Sequence, residues 1–441
     1  MLKHFPAKHQ KILKLSIPAA INSLLDMLQV ITDLIMVGRI SAFAVAAVGL
    51  GLQSLMLVFA VLTLLHVGTS ALLSRFVGAQ RMKRASIGLS TLLRFAFYLS
   101  MPAMVAWYFL ASNIYTWFGT VPEVVVLGED YVQMLTWMMP FIFIKLVFVS
   151  ALNAAGDTKT PMNVKILSIL LNVLLNYLLI FGKYGFPELG VIGAAVGTVI
   201  VNVLEFMVYV YLYLKQKTPY IPGLHYSKSL LSRALKVGIP ASVERSLTFG
   251  SFMLFTVVIA HYGTAVLAGY QIGLRVEGLA FMPGIGFTIA AMALMGQGLG
   301  AKKPKQAKED VLLVLKYTSG FMFFLSFFMI FMPEKIVWFF TDDEATIQEA
   351  SLYLRIVGFS QIPLAFNFVL SGALRGAGDS QWTMKMNLIS LWLVRIIPAF
   401  LLSWYFHSIL FVYLAMISDT FVKAFFLWKR FNTDRWQKIK V

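Results

Sequence analysis

Asp33 is the residue with the most chemistry to offer. It lies in an apolar run at 12–37, six residues before Arg39. A helix rises 1.5 Å per residue, so the carboxylate sits about 9 Å beneath the end of that run. Asn172 and Asn176 lie in a second apolar run at 162–181. Four residues apart, they share one helix face. Asn176 precedes Lys183 by seven residues, about 10 Å beneath the same boundary. Thr198, in a run at 191–214, completes a set of one carboxylate, two amides and a hydroxyl. Oxygen ligands of this kind suit Na⁺, with Asp33 and Asn172 as the first ligands expected. A lone carboxylate away from water also suits H⁺, because burial penalises its charged form. The plainer reading of the Asn pair is a hydrogen bond between helices.

A second set of ionisable side chains interrupts later apolar runs: Glu244, Arg275, Glu277 and Arg395. An unpaired charge in the membrane is costly. These four are therefore expected either in structural salt bridges or in a substrate or coupling network. Arg94, Arg355, Glu205 and Asp419 lie near the ends of runs, where a charged head can snorkel to water. Enzyme chemistry finds little support. There is no cysteine, and the six His form no HExxH pair. Asp26 and Asp33 share a face but stand two turns apart. No GxxxxGK[ST] phosphate loop is present, so the chain holds no nucleotide-driven motor and needs no organic cofactor.

The elements that carry these residues are set by composition. Of 441 residues, 59% are hydrophobic and 13% charged. A soluble domain is nearer half apolar and a quarter charged, and a disordered chain is poor in apolar residues. Twelve runs are long enough to cross a bilayer, which takes about 20 residues. They are 12–37, 45–74, 86–110, 131–151, 162–181, 191–214, 235–261, 266–298, 311–332, 352–374, 384–406 and 408–428. The first is too long and too acidic for a signal peptide. Alternate connections and both termini hold most of the 37 Lys and Arg, whereas the opposite side holds Arg39, Lys183 and Lys335. Cytoplasmic loops carry the bases, so both termini are expected inside, in a plasma or inner membrane. The net charge of +17 then points to lipid headgroups and not to nucleic acid.

Shifted by 222 residues, the chain resembles itself. Ile17-Pro18-Ala19 meets Ile239-Pro240-Ala241, Gly51-Leu52 meets Gly273-Leu274, and Ala155-Gly156-Asp157 meets Ala377-Gly378-Asp379. Each repeat carries six spans, an even number, so the two run parallel. The expected fold is an all-α polytopic membrane protein of twelve transmembrane helices in two pseudo-symmetric six-helix lobes. The lobes are expected at 1–214 and 237–441, with a cytoplasmic linker at 215–236. Such repeats are characteristic of secondary transporters that work by alternating access.

The stretch 151–161, ALNAAGDTKTP, resembles the loop after the fourth span of multidrug and toxic compound extrusion (MATE) transporters. The stretches 182–190, 281–287, 296–301 and 374–379 are similar to further motifs of that family. The resemblance implies a MATE-like fold that exports organic cations, other amphipathic drugs or metabolites in exchange for Na⁺ or H⁺. Nothing in the sequence requires an oligomer, so a monomer is expected. It implies that Asp33 is the coupling acid of the first span, with Asn172 and Thr198 in the cation site. Asn176 stands where some members have Asp, one carboxylate fewer. The tenth span lacks the acid that some members use, and Glu244 is a loose counterpart of their seventh-span acid. The nearest alternative is a lipid-linked oligosaccharide flippase of the same superfamily, with Arg245, Arg275 and Arg395 as bases for a pyrophosphate.

Overall fold

The computed structural model describes residues 6–215, 218, 220, 222–223 and 225–439. Lys3, Lys217, Pro219 and Lys440, which enter the charge and linker readings above, lie outside them. Among the described residues there is no strand. The first repeat forms α1 (Ala7–Gly38), α2 (Ala42–Ser54), α3 (Met56–Gly78), α4 (Met82–Trp117), α5 (Pro122–Thr136), α6 (Met139–Ala155), α7 (Lys159–Phe181) and α8 (Gly190–Leu214). The second forms α9 (Lys228–Ala260), α10 (Thr264–Gly300), α11 (Pro304–Phe331), α12 (Pro333–Trp338), α13 (Glu344–Phe359), α14 (Gln361–Gly376), α15 (Ser380–Ser390), α16 (Ile397–Phe406) and α17 (Ile409–Asn432). A wide π-helical turn, Leu391–Ile396, joins α15 to α16.

Among the described residues, ten helical stretches are long and apolar enough to cross a membrane. Two bent pairs, α5–α6 at 51° and α13–α14 at 55°, bring the total to twelve. Both bends come just before a proline, Pro140 and Pro363. A proline lacks the N–H and crowds the preceding turn, which kinks a helix. The bent spans begin at Pro122 and Glu344, earlier than the runs at 131 and 352 suggest, because polar first turns hide their starts. The exposed aromatics Trp117, Trp338, Phe339, Trp404 and Tyr405 gather at the ends of α4, α12 and α16.

The chain divides into two compact units. One is Ile21–Gly238, and the other joins Met1–Ala20 to Ile239–Val441. The division differs from a split at the linker. It falls beside Pro18 inside α1 and Pro240 inside α9, two residues that the repeat pairs. The start of α1 therefore packs with the second repeat. Ile12 and Leu15 sit in its hydrophobic core with Phe287, Val311 and Val314. Lys8 pairs with Glu309 at 2.7 Å, and His9 Nδ1 lies 2.6 Å from Tyr317 Oη. In the first unit, conversely, the start of α9 lies so close to α3 that a Cβ on Gly238 would sit 2.4 Å from the Leu64 carbonyl. Residues of the expected linker are pinned there too. Gly223 N–H donates to Ser90 Oγ at 2.6 Å, and Ser227 N–H to Thr91 Oγ1 at 3.0 Å.

The repeat is legible in side-chain packing. Tyr131 presses on Gly51, and its counterpart Tyr353 presses on Gly273, whose Cβ would stand 2.2 Å from the ring. The same ring-on-glycine contact thus sets how the second span of each repeat meets the fourth.

Candidate functional site

In the first unit the structure brings Asp33, Asn172, Asn176 and Thr198 together, from α1, α7 and α8. Asn176 Nδ2 donates to Asp33 Oδ1 at 2.6 Å. It also approaches Asn172 Oδ1 at 3.4 Å, and Asn172 Nδ2 lies 3.5 Å from Thr198 Oγ1. Both asparagines are fully buried, and Asp33 is 9% exposed. The spacing explains the meeting: Asn172 and Asn176 are one turn apart on the buried stripe of α7. Close approach of α8 does the rest. A Cβ on Gly197 would stand 2.4 Å from Asn176 Oδ1, so only glycine leaves the amide its place.

Two partly buried lysines lie in the same unit. Lys165 Nζ pairs with Asp26 at 2.6 Å and donates to Gln29 at 2.8 Å. Lys145 pairs with Glu205 and donates to Asn202 Oδ1 at 2.6 Å. Asn202 in turn donates to the Thr198 carbonyl at 2.8 Å. Each ammonium is thus matched to an acid of its own. Asp33 makes no ion pair among the described residues. Counting the exposed Asp26, three acids face two bases, and the acid left without an ammonium of its own is the buried Asp33.

Such a site can take a cation. Among the described residues no three His, Asp or Glu side chains gather as a metal site. A cation at Asp33 would be held by one carboxylate with amide and hydroxyl oxygens, a donor set whose single charge matches H⁺ or Na⁺ better than a divalent ion. The amide of Asn176 serves either state: its NH₂ donates to a carboxylate, and its oxygen accepts from a carboxylic acid. Asn176 Oδ1 has no donor in the structure.

The second unit does not assemble Glu244, Arg275, Glu277 and Arg395 into one network. Glu244 on α9 accepts from Arg375 at 2.7 Å and from Asn387 at 2.7 Å. Glu277 on α10 accepts from Tyr353 Oη at 2.6 Å. Arg395 stacks on Phe252 and Phe255, its guanidinium carbon 4.9 and 4.6 Å from the ring centroids. Arg275 is exposed on α10. Two side chains expected to snorkel are buried instead. Glu205 is held by Lys145, and Asp419 by Lys423 at 2.7 Å and Ser390 at 2.6 Å. A matching base inside the protein removes the reason to reach for water.

Sequence reasoning missed Lys165, Arg375 and Asn387. By position Lys165 and Arg375 count with the basic connections, yet Lys165 pairs with the exposed Asp26 and Arg375 turns inward to Glu244. The signal was there for Lys165. It lies seven residues before Asn172, on the same face of α7.

A family model, MatE, matches residues 18–178 and 240–401. The chain is 30% identical to the probable multidrug resistance protein NorM of Thermotoga maritima, over 98% of this chain and 94% of that protein. It is 27% identical to the probable multidrug resistance protein YoeA of Bacillus subtilis, over 88% and 86% of the two chains. Among solved structures, a MOP superfamily transporter from Pyrococcus furiosus superposes with a TM-score of 0.91 at 21% identity, covering 98% of this chain and 97% of the other. A MATE family multidrug resistance transporter in an outward-facing conformation gives 0.90 at 22%, with the same coverage. These two likenesses concern the fold.

Proposed function

Since the chain belongs to the MatE family of membrane transporters, we propose that it is a secondary antiporter that exports amphipathic drugs, organic cations among them, in exchange for H⁺ or Na⁺. The observation that carries this reading is the surplus charge at Asp33. Both nearby lysines are committed to other acids, and the remaining carboxylate is held by a neutral amide. An exchangeable cation is what would balance it. Drug and cation are taken in turn as the protein alternates between inward-open and outward-open states, and their differential affinity for the two states couples the fluxes. Both termini lie in the cytoplasm, and the chain works as a monomer.

Purified protein in liposomes tests this, with ethidium as the drug and imposed Na⁺ or H⁺ gradients as the driving force. Uphill ethidium movement is expected under one gradient and is lost in Asp33→Asn, while that variant keeps the wild-type elution profile. Wild-type uptake by Asp33→Asn would sink the assignment. Flux of a lipid-linked sugar with no ethidium flux would favour the flippase.

A further inference from the structure

The π-helical turn changes how the two repeats line up. In a π turn the bond runs from i to i+5, and the Ile397 N–H here bonds to the Trp392 carbonyl. One such turn absorbs one residue more than an α turn. Before it, the repeats match at a shift of 222. From within the turn onward, the helix of the second repeat should match α7 at 223. Burial supports this. Along α7 the buried positions are Ser168, Asn172 and Asn176, and at a shift of 223 they meet Leu391, Arg395 and Ala399, all buried. At a shift of 222 the last two would instead meet Val394 and Pro398, which are only partly buried. Arg395 therefore holds the place of Asn172, and Ala399 that of Asn176. No such turn lies between α9 and α1, so Phe255 holds the place of Asp33; both are buried.

The second unit thus keeps the layout of the Asp33 site with different chemistry. Where a carboxylate faces two amides in the first, an aromatic ring faces a guanidinium in the second. Arg395 is 8% exposed, its Nε has no hydrogen-bond partner, and it makes no ion pair among the described residues. Its charge rests on the faces of Phe252 and Phe255, an arrangement that attracts a cation. Glu277 lies within electrostatic reach but beyond ion-pair distance, engaged by Tyr353. Arginine does not lose its proton in proteins.

We infer that Arg395 is a built-in cation: tethered to the chain, it permanently fills in the second unit the position that an exchangeable cation takes in the first, leaving one exchangeable cation site per chain, at Asp33. The second half rests on the function proposed above, and the first does not. A tethered cation can be cut loose and supplied from solution. Arg395→Ala is expected to melt below wild type. Millimolar guanidinium, compared with choline at equal ionic strength, is expected to raise its melting temperature by about 3 °C through binding to the folded state, with no rise in wild type. Arg395→Lys, which keeps a tethered charge, is expected to fold and to show no guanidinium response. A guanidinium effect absent from Arg395→Ala, or equal in wild type, would overturn the inference. If Arg395→Ala does not fold, Arg395→Lys decides: a guanidinium-dependent rise there overturns the inference, and none supports it. The second half is read in liposomes from the ethidium gradient that just halts flux against a known ion gradient. One cation per ethidium is expected, and two would overturn the single site. Loss of the Asp33 dependence would strike the proposed function and leave the guanidinium result standing.

Discussion

Asp33 matters because of what does not touch it. A carboxylate paired with a lysine is a structural pair, and the first unit has two of these, the buried Glu205 and the exposed Asp26. Held by an amide alone, Asp33 is the carboxylate that the proposed exchange would use. Asn176→Asp would put a second carboxylate 2.6 Å from the first, and two such charges cannot coexist bare. The variant is expected to become strongly Na⁺-dependent, with half-maximal flux at about tenfold lower Na⁺, roughly 1.4 kcal/mol; a flux titration against Na⁺ checks it. Gly197→Ala fills the space beside Asn176 Oδ1. Overpacking of this kind costs about 1–3 kcal/mol. A lower melting temperature and at least a tenfold slower ethidium flux are expected, and a variant with wild-type flux would show that the amide has room to spare. Asp33, Asn172, Asn176 and Thr198 were legible in sequence because helical depth and spacing reduce to counting residues. The partners of the lysines were not. A lysine six residues into a helix reads like one at its mouth until the neighbouring helix is placed.

The wide turn at Leu391–Ile396 shows what a constant sequence shift conceals. Counting from the repeat alone sets Val394 opposite Asn172, and the match appears lost. The extra residue restores it with Arg395. If the turn does no more than absorb that residue, removing one should be harmless. Leu393 is exposed on it. Deletion of Leu393 is expected to leave a continuous α-helix with Arg395 still on Phe255, and to keep flux within about twofold of wild type. Deletion of the exposed Leu174 from α7, which has no slack, turns each later residue by about 100° at 3.6 residues per turn. That deletion is expected to abolish flux, because Asn176 leaves Asp33. Equal damage from the two deletions would refute the register argument. The twelve spans themselves were readable from apolar length, since a bilayer asks for little else. The bends at Pro140 and Pro363 and the wide turn were not, because each depends on how a backbone interruption is accommodated by its neighbours.

At the scale of the molecule, the repeat is clear in sequence, but the units do not follow it. Residues up to Ala20 belong with the second repeat, and residues up to Gly238 with the first. Nothing in composition marks this, because α1 and α9 are unbroken helices and the division lies in what each half packs against. Ile12 is fully buried and Leu15 nearly so. Replacing each with alanine is expected to cost about 2–5 kcal/mol, seen as a lower melting temperature. Lys8→Ala, at an exposed pair, should cost under about 1 kcal/mol. Damage from Lys8 exceeding that from Ile12 would mean that charge and not packing seats the segment. The arrangement also bears on synthesis. The start of α1 is translated before the first unit and packs with a unit translated after it. That helix start must wait, kept from other apolar surfaces, while more than two hundred residues are translated, and the second unit cannot close until the early segment is handed to it.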